Sequence, residues 1–164
     1  MELRGQHQFS FGRADVEDAM CDPAFYGQLE IPDVTKPEIL DRSVRDGVIE
    51  LSMRYVFTGQ LDPIVNRVLG NSEISWTQAL RVDTRAHTGS LTIVPSVLPG
   101  KVDCSASITF TDAADGGCTR VLDGELKVKI PMLGGKAEHA ILPGITRRLD
   151  LEAEALEGWL QSMS

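Results

Sequence analysis

The chain has 164 residues, a formal net charge of −8, and 42% hydrophobic against 24% charged residues. That length suits one domain that buries roughly two-thirds of the surface its unfolded chain would expose, and the composition is that of an ordinary globular protein. The negative charge opposes binding to nucleic acid and to anionic membranes, and no apolar run approaches the roughly 20 residues of a membrane-spanning helix.

The chain opens as a strand. Leu3, Gly5, His7, Phe9 and Phe11 share one parity, with Arg4, Gln6, Gln8 and Ser10 on the other. This start lacks the charged and apolar regions of a signal peptide, so a cytoplasmic protein without integral membrane association is the expectation. From Arg13 to Glu30 the spacing turns helical, with Val16, Ala19 and Met20 in one stripe. Asp22-Pro23 then restarts the chain as N-cap and first helical residue, and Ala24, Phe25, Tyr26 and Leu29 follow. Two short helices fit better than one, because a proline inside a helix costs about 3 kcal/mol.

A hairpin comes next. Ile39 to Arg45 is strand-like, Asp46-Gly47 is a two-residue turn signal, and Ile49, Leu51, Met53, Tyr55 and Phe57 line one face of the returning strand. Asp62-Pro63 opens a short helix carrying Ile64, Val65, Val68 and Leu69, which Gly70 closes. Four more strands are predicted. The first, Ile74 to Val82, sets Trp76, Leu80 and Val82 on one face with Gln78 among them, and the second, Thr88 to Val94, supplies Leu91 and Ile93. In the third, Val102, Cys104, Ala106, Ile108 and Phe110 alternate with Asp103, Ser105, Ser107 and Thr109; in the fourth, Leu122, Gly124, Leu126, Val128 and Ile130 alternate with charged residues. One buried and one wet face mark an antiparallel sheet.

With the buried parities of these last two strands aligned, Asp112 falls near Cys118 and Cys104 near Leu126. Cys104 and Cys118 are then far apart along the ladder, and Cys21, Cys104 and Cys118 are odd in number and without CxxC spacing. Free, buried thiols are expected, with no disulfide and no zinc site. His7, His87 and His139 show no metal-binding spacing, so neither metal nor other cofactor is predicted.

After Pro131 the period is helical again. Ala137, Ile141, Ile145, Leu149, Leu156 and Leu160 form an apolar stripe over a helix spanning much of Gly135 to Ser162, and Pro143 is expected to kink or split it. Gly134-Gly135-Lys136 precedes this helix, where free backbone N–H groups can bind an anion, but it lacks the spacing of a P-loop and reads first as a tight turn that lets the helix pack closely. There is no GxSxG serine, and spacing alone nominates no carboxylate pair for acid–base chemistry.

The element order, strand, two helices, six strands with one inserted helix, then a long terminal helix, resembles the helix-grip fold of the START/Bet v 1-like (SRPBCC) superfamily. Three phrases are similar to a small actinobacterial-type branch without an assigned function: Ala19-Met20-Cys21-Asp22-Pro23-Ala24-Phe25-Tyr26, Met53-Arg54-Tyr55, and Ile130-Pro131-Met132-Leu133-Gly134-Gly135-Lys136-Ala137-Glu138. The resemblance implies an α+β domain, a curved antiparallel sheet of about seven strands around the terminal helix, with a cavity between them for an apolar small molecule or lipid.

On the inward parities, Phe9, Met53, Tyr55, Phe57, Trp76, Gln78, Ile108 and Phe110 from the strands and Ile141 and Ile145 from the helix are the candidate lining. Plain core is the alternative for the same residues. Tyr55 and Gln78 carry the information, since an inward polar atom needs a partner. A binding or carrier protein is the leading expectation. A polyketide cyclase or aromatase-type enzyme using Tyr55, His7 and Arg42 is the alternative, as is an interaction module with a filled core. Weak homo-oligomer formation stays open.

Overall fold

A computed structural model of the chain describes residues 1–70 and 72–164. Among the described residues, seven strands form one antiparallel sheet in the order β1-β7-β6-β5-β4-β3-β2, and three short helices and one long one complete the fold. The strands are β1 (Glu2–Phe9), β2 (Glu38–Arg45), β3 (Val48–Val56), β4 (Ser75–Asp83), β5 (Thr88–Pro95), β6 (Val102–Asp112) and β7 (Cys118–Val128). The helices are α1 (Arg13–Met20), α2 (Pro23–Gln28), α3 (Pro63–Leu69) and α4 (Gly134–Met163). This is the helix-grip arrangement that the element order implies.

Local chemistry sets the breaks. Asp22 and Asp62 each cap a helix through the backbone N–H two residues on, with Pro23 and Pro63 at the first helical positions. Asp46 and Gly47 both have positive φ, 52° and 79°, as a tight turn between twisted strands requires. The β6–β7 register pairs Asp112 with Cys118 and Cys104 with Leu126, as the buried parities require. At the centre of β7, Gly124 lies so close to Ser105 and Ala106 of β6 that a Cβ would collide with their backbone, so only glycine fits there.

The inward parities of the sheet form the core. Leu3, Phe9, Leu51, Met53, Tyr55, Leu80, Val82, Leu91, Ile108, Phe110, Leu122 and Leu126 are all buried, and Ala137, Leu149, Ala153, Leu156 and Leu160 of α4 close over them. α4 packs on β1 and β7 and touches α1 and α3.

Pro143 lies inside α4 and does not split it: the helix runs unbroken from Gly134 to Met163. Pro143 and His139, whose carbonyl loses its helical partner, are both exposed. Water can take up that carbonyl, and the buried face on either side holds the helix together. At the other junction, Gly134 approaches the Val128 carbonyl so closely that a Cβ would clash, and its N–H bonds the Ile130 carbonyl at 2.9 Å. The Gly134-Gly135 pair is thus a close-packing joint. Nearby Glu138 accepts from Val128 N–H at 2.9 Å and from the terminal amine of Met1 at 3.3 Å, locking the start of α4 to the ends of β7 and β1.

Candidate functional site

Because side chains alternate, parity decides which face of a sheet a residue occupies but not its level along the strand. Toward one end of the concave face the interior is filled. There α1 and α2 bring Val16, Met20, Phe25 and Tyr26 into the core that holds Phe9 and Phe110. Toward the other end lies a cavity of about 430 Å3. Its walls come from Phe57 just after β3, Ile74 just before β4 and Trp76 within it, the end of β5 (Ile93, Pro95), the start of β6 (Val102, Cys104), Leu126 of β7, α3 with the loop before it, and the Ala140–Leu151 stretch of α4. Pro32, Asp33, Gln60, Asp62 and Arg147 line it while exposed to solvent, which places its mouth beside α3.

Of the candidate lining, Phe57, Trp76, Ile141 and Ile145 face this cavity. Met53, Tyr55, Gln78, Ile108, Phe9 and Phe110 are buried but not on its wall. Phe9, Ile108 and Phe110 sit at levels of the sheet covered by packed side chains. Tyr55 is screened by its neighbours: its ring stacks on Trp76, centroids 5.4 Å apart, and the Arg148 guanidinium lies 5.1 Å from its centroid.

The sequence reading missed a buried polar cluster beside the cavity. Arg148 and Glu152 sit one turn apart on α4 and pair through Nη1 and Oε2 at 2.9 Å. Arg120 enters from β7, its guanidinium over the Phe9 ring at 5.4 Å. Its Nη2 donates to His7 Nδ1 at 3.0 Å, and His7 Nε2 meets Asp150 Oδ1 at 2.8 Å. That pattern fixes the neutral tautomer, with Nε2–H donating to Asp150 and Nδ1 accepting from Arg120. Burial, then the Arg120 charge, hold the His7 pKa below its usual value, against the opposing pull of Asp150. Burial pushes the Glu152 carboxyl up, opposed by Arg148 and Arg120.

Five buried polar atoms lack a hydrogen-bond partner among the described residues: Tyr55 Oη, Trp76 Nε1, Gln78 Oε1, Arg120 Nε and Arg148 Nη2. Such atoms are rare in native interiors and call for a partner; the Tyr55 hydroxyl and the Arg148 guanidinium lie beside each other without a well-formed bond, and water or a ligand can serve the groups the chain leaves unpaired. Two of their owners, Trp76 and Arg148, are on the cavity wall. The signal for the cluster was present in the sequence: Arg120 shares the inward parity of β7, and Arg148 and Glu152 fall on the apolar stripe of α4.

Elsewhere, Glu17 of α1 is wholly buried and meets His87 Nδ1 at 2.6 Å, clamping α1 to the β4–β5 turn. Arg42, a candidate for catalysis, is exposed on β2 and donates to the Cys21 carbonyl at 3.0 Å, away from the cavity. The three thiols are free and buried, pushed by that burial to about 12 for Cys21 and about 11 for Cys104 and Cys118. No helix of the described residues is long and apolar enough to cross a membrane.

The model of a family described as "Protein of unknown function (DUF2505)" matches residues 4–160. No curated protein matches the sequence. Among solved structures, the Zhui aromatase/cyclase from Streptomyces sp. R1128 is similar at a TM-score of 0.64 and 13% identity, covering 98% of this chain and 93% of that one. Ara h 8.0201 is similar at 0.64 and 14%, covering 99% and 98%. A START superfamily protein from Mycobacterium smegmatis is similar at 0.58 and 14%, covering 99% of both chains. At these identities the likeness is one of fold, and the fold is that of the START and Bet v 1 proteins.

Proposed function

The chain belongs to that family, DUF2505, and from its cavity we propose that it binds or carries a hydrophobic small molecule or lipid between the sheet and α4. The observation that carries this is a cavity of about 430 Å3, open to solvent on one side, whose wall is mostly apolar: Phe57, Ile74, Ile93, Val102, Leu126, Ile141 and Ile145 among others. Small-molecule sites typically span roughly 300–1,000 Å3, with apolar walls and a few placed polar groups. An interaction module would have no use for such a space, and its core would be filled.

Trp76 on the wall makes the proposal measurable, since Trp159 is the other of the chain's two tryptophans. In Trp159→Phe, titration with medium-chain alkanols, flavonoids and polyketide mimics is expected to change Trp76 emission saturably and to raise the melting temperature, because a ligand of the native state stabilises it by mass action. A panel without a saturable response, together with an unchanged melting temperature, would reject the proposal.

The buried Arg120, Arg148 and Glu152 favour a second reading, a cyclase or aromatase-type enzyme with Arg148 on the cavity wall and Glu152, its partner behind that wall, as proton carrier. Its burial-raised carboxyl suits that work. Turnover of a linear poly-β-ketone mimic to a cyclised product, lost in Glu152→Gln, is the expected result for that reading.

A further inference from the structure

The polar groups on the cavity wall constrain the ligand further. Arg148 is 94% buried by its 6% exposure, and Glu152 occupies only one of its two terminal nitrogens. Nη2 forms no hydrogen bond of ordinary geometry, even to the Tyr55 hydroxyl beside the guanidinium, although an arginine brings five N–H donors and no acceptor. Trp76 Nε1, also a donor only, is buried and unpartnered on the same wall. The two groups are neighbours, the Arg148 guanidinium lying 5.6 Å from the Trp76 ring centroid. Gln78 Oε1, an unpartnered acceptor, is not on the wall.

The charges agree. Buried in this region are Arg120, Arg148 and one carboxylate, Glu152, while His7 is held neutral between Arg120 and the largely exposed Asp150. The buried groups therefore carry one positive charge in excess, and a buried charge is costly unless it is paired.

We propose that the ligand is an apolar monocarboxylate, its body in the cavity and its carboxylate received by Arg148 Nη2 and Trp76 Nε1. Two donors suit the two oxygens of a planar carboxylate, and one surplus charge suits a monoanion better than a phosphate monoester.

This rests on the reading of the cavity as a ligand site, and the test separates the two. Decanoic acid and decan-1-ol, equal in chain length, are titrated by calorimetry into the full chain and into Arg148→Gln and Trp76→Phe. The acid is expected to bind at least about tenfold more tightly than the alcohol, the scale of a hydrogen bond to a charged group. Arg148→Gln should abolish that preference, weakening the acid far more than the alcohol. Trp76→Phe keeps the ring stack and should weaken the acid more than the alcohol, which preserves the test if Arg148→Gln does not fold. Alcohol binding without preference for the acid, or a preference that survives both substitutions, would overturn the carboxylate assignment and leave the cavity reading standing. Binding of neither probe would overturn both.

Discussion

Four side chains, His7, Arg120, Arg148 and Glu152, give this interior a character its apolar pattern does not announce. All four sit where an alternation or a helical stripe places an inward side chain, and the location of Arg120 was legible once β7 is extended back to Cys118. Their mutual pairing was not, because partners such as His7 and Arg120, or His7 and Asp150, are joined by sheet register and helix packing over more than a hundred positions. His7 reports on that pairing. Its neutral form accepts from Arg120, and protonation would set a second donor against the guanidinium. Folding therefore favours the neutral ring, so its contribution to stability is whole above the ordinary value of 6.5 and is lost as pH falls through the lower folded value. The His7 Cε1 proton should titrate by NMR with a midpoint below 6.5. Wild type should also lose stability relative to His7→Gln between about pH 7.5 and about pH 5, the range in which a histidine titrates. A midpoint above 6.5 would mean that Asp150, and not burial and Arg120, dominates.

Among the elements, α4 shows what a periodic signal can and cannot say. The stripe Ala137, Ile141, Ile145, Leu149, Leu156 and Leu160 locates the helix and its inner face, yet the residues on that face have two fates. Leu149 and Leu156 are buried against the sheet, whereas Ile141 and Ile145 are half-buried over the cavity. Periodicity cannot separate them, because the difference lies in what the opposite wall supplies. Leu149, 5% exposed, is packed on every side. Leu149→Ala should cost about 2–5 kcal/mol in urea unfolding. Pro143 behaves oppositely. It is exposed, in a helix that does not break, and directly precedes Gly144 on the cavity wall. Alanine is better than proline by about 3 kcal/mol in a helix interior, so Pro143→Ala should stabilise the fold by an amount up to that limit. A loss of stability on Pro143→Ala would show that α4 needs a bend at this point to clear the cavity.

At the scale of the whole molecule, the meander of strands from β2 to β7 follows from hairpin signals and inward parities, which is why the architecture was legible in the sequence. The cavity's level was not: it depends on α1 and α2 filling one end of the concave face while α3 and its loop only border the other. The global charge adds a kinetic consequence. A carboxylate ligand would meet Arg148 inside a molecule whose net charge is −8, and at the mouth it would pass Asp33 and Asp62 with only Arg147 opposite in sign. Outer and inner fields therefore oppose each other. The outer field acts through water and is screened, with a Debye length of about 30 Å at 0.01 M salt and about 8 Å at 0.15 M, whereas buried pairs are screened far less. Association of decanoate, followed by Trp76 fluorescence in Trp159→Phe under stopped flow, should accelerate severalfold across about that salt range as repulsion is damped. Dissociation should hardly change, and decan-1-ol, which has no charge to repel, should show neither effect. A decanoate association rate that falls with salt would mean that the field of Arg147 and the buried guanidiniums reaches beyond the mouth and attracts the ligand despite the acidic surface.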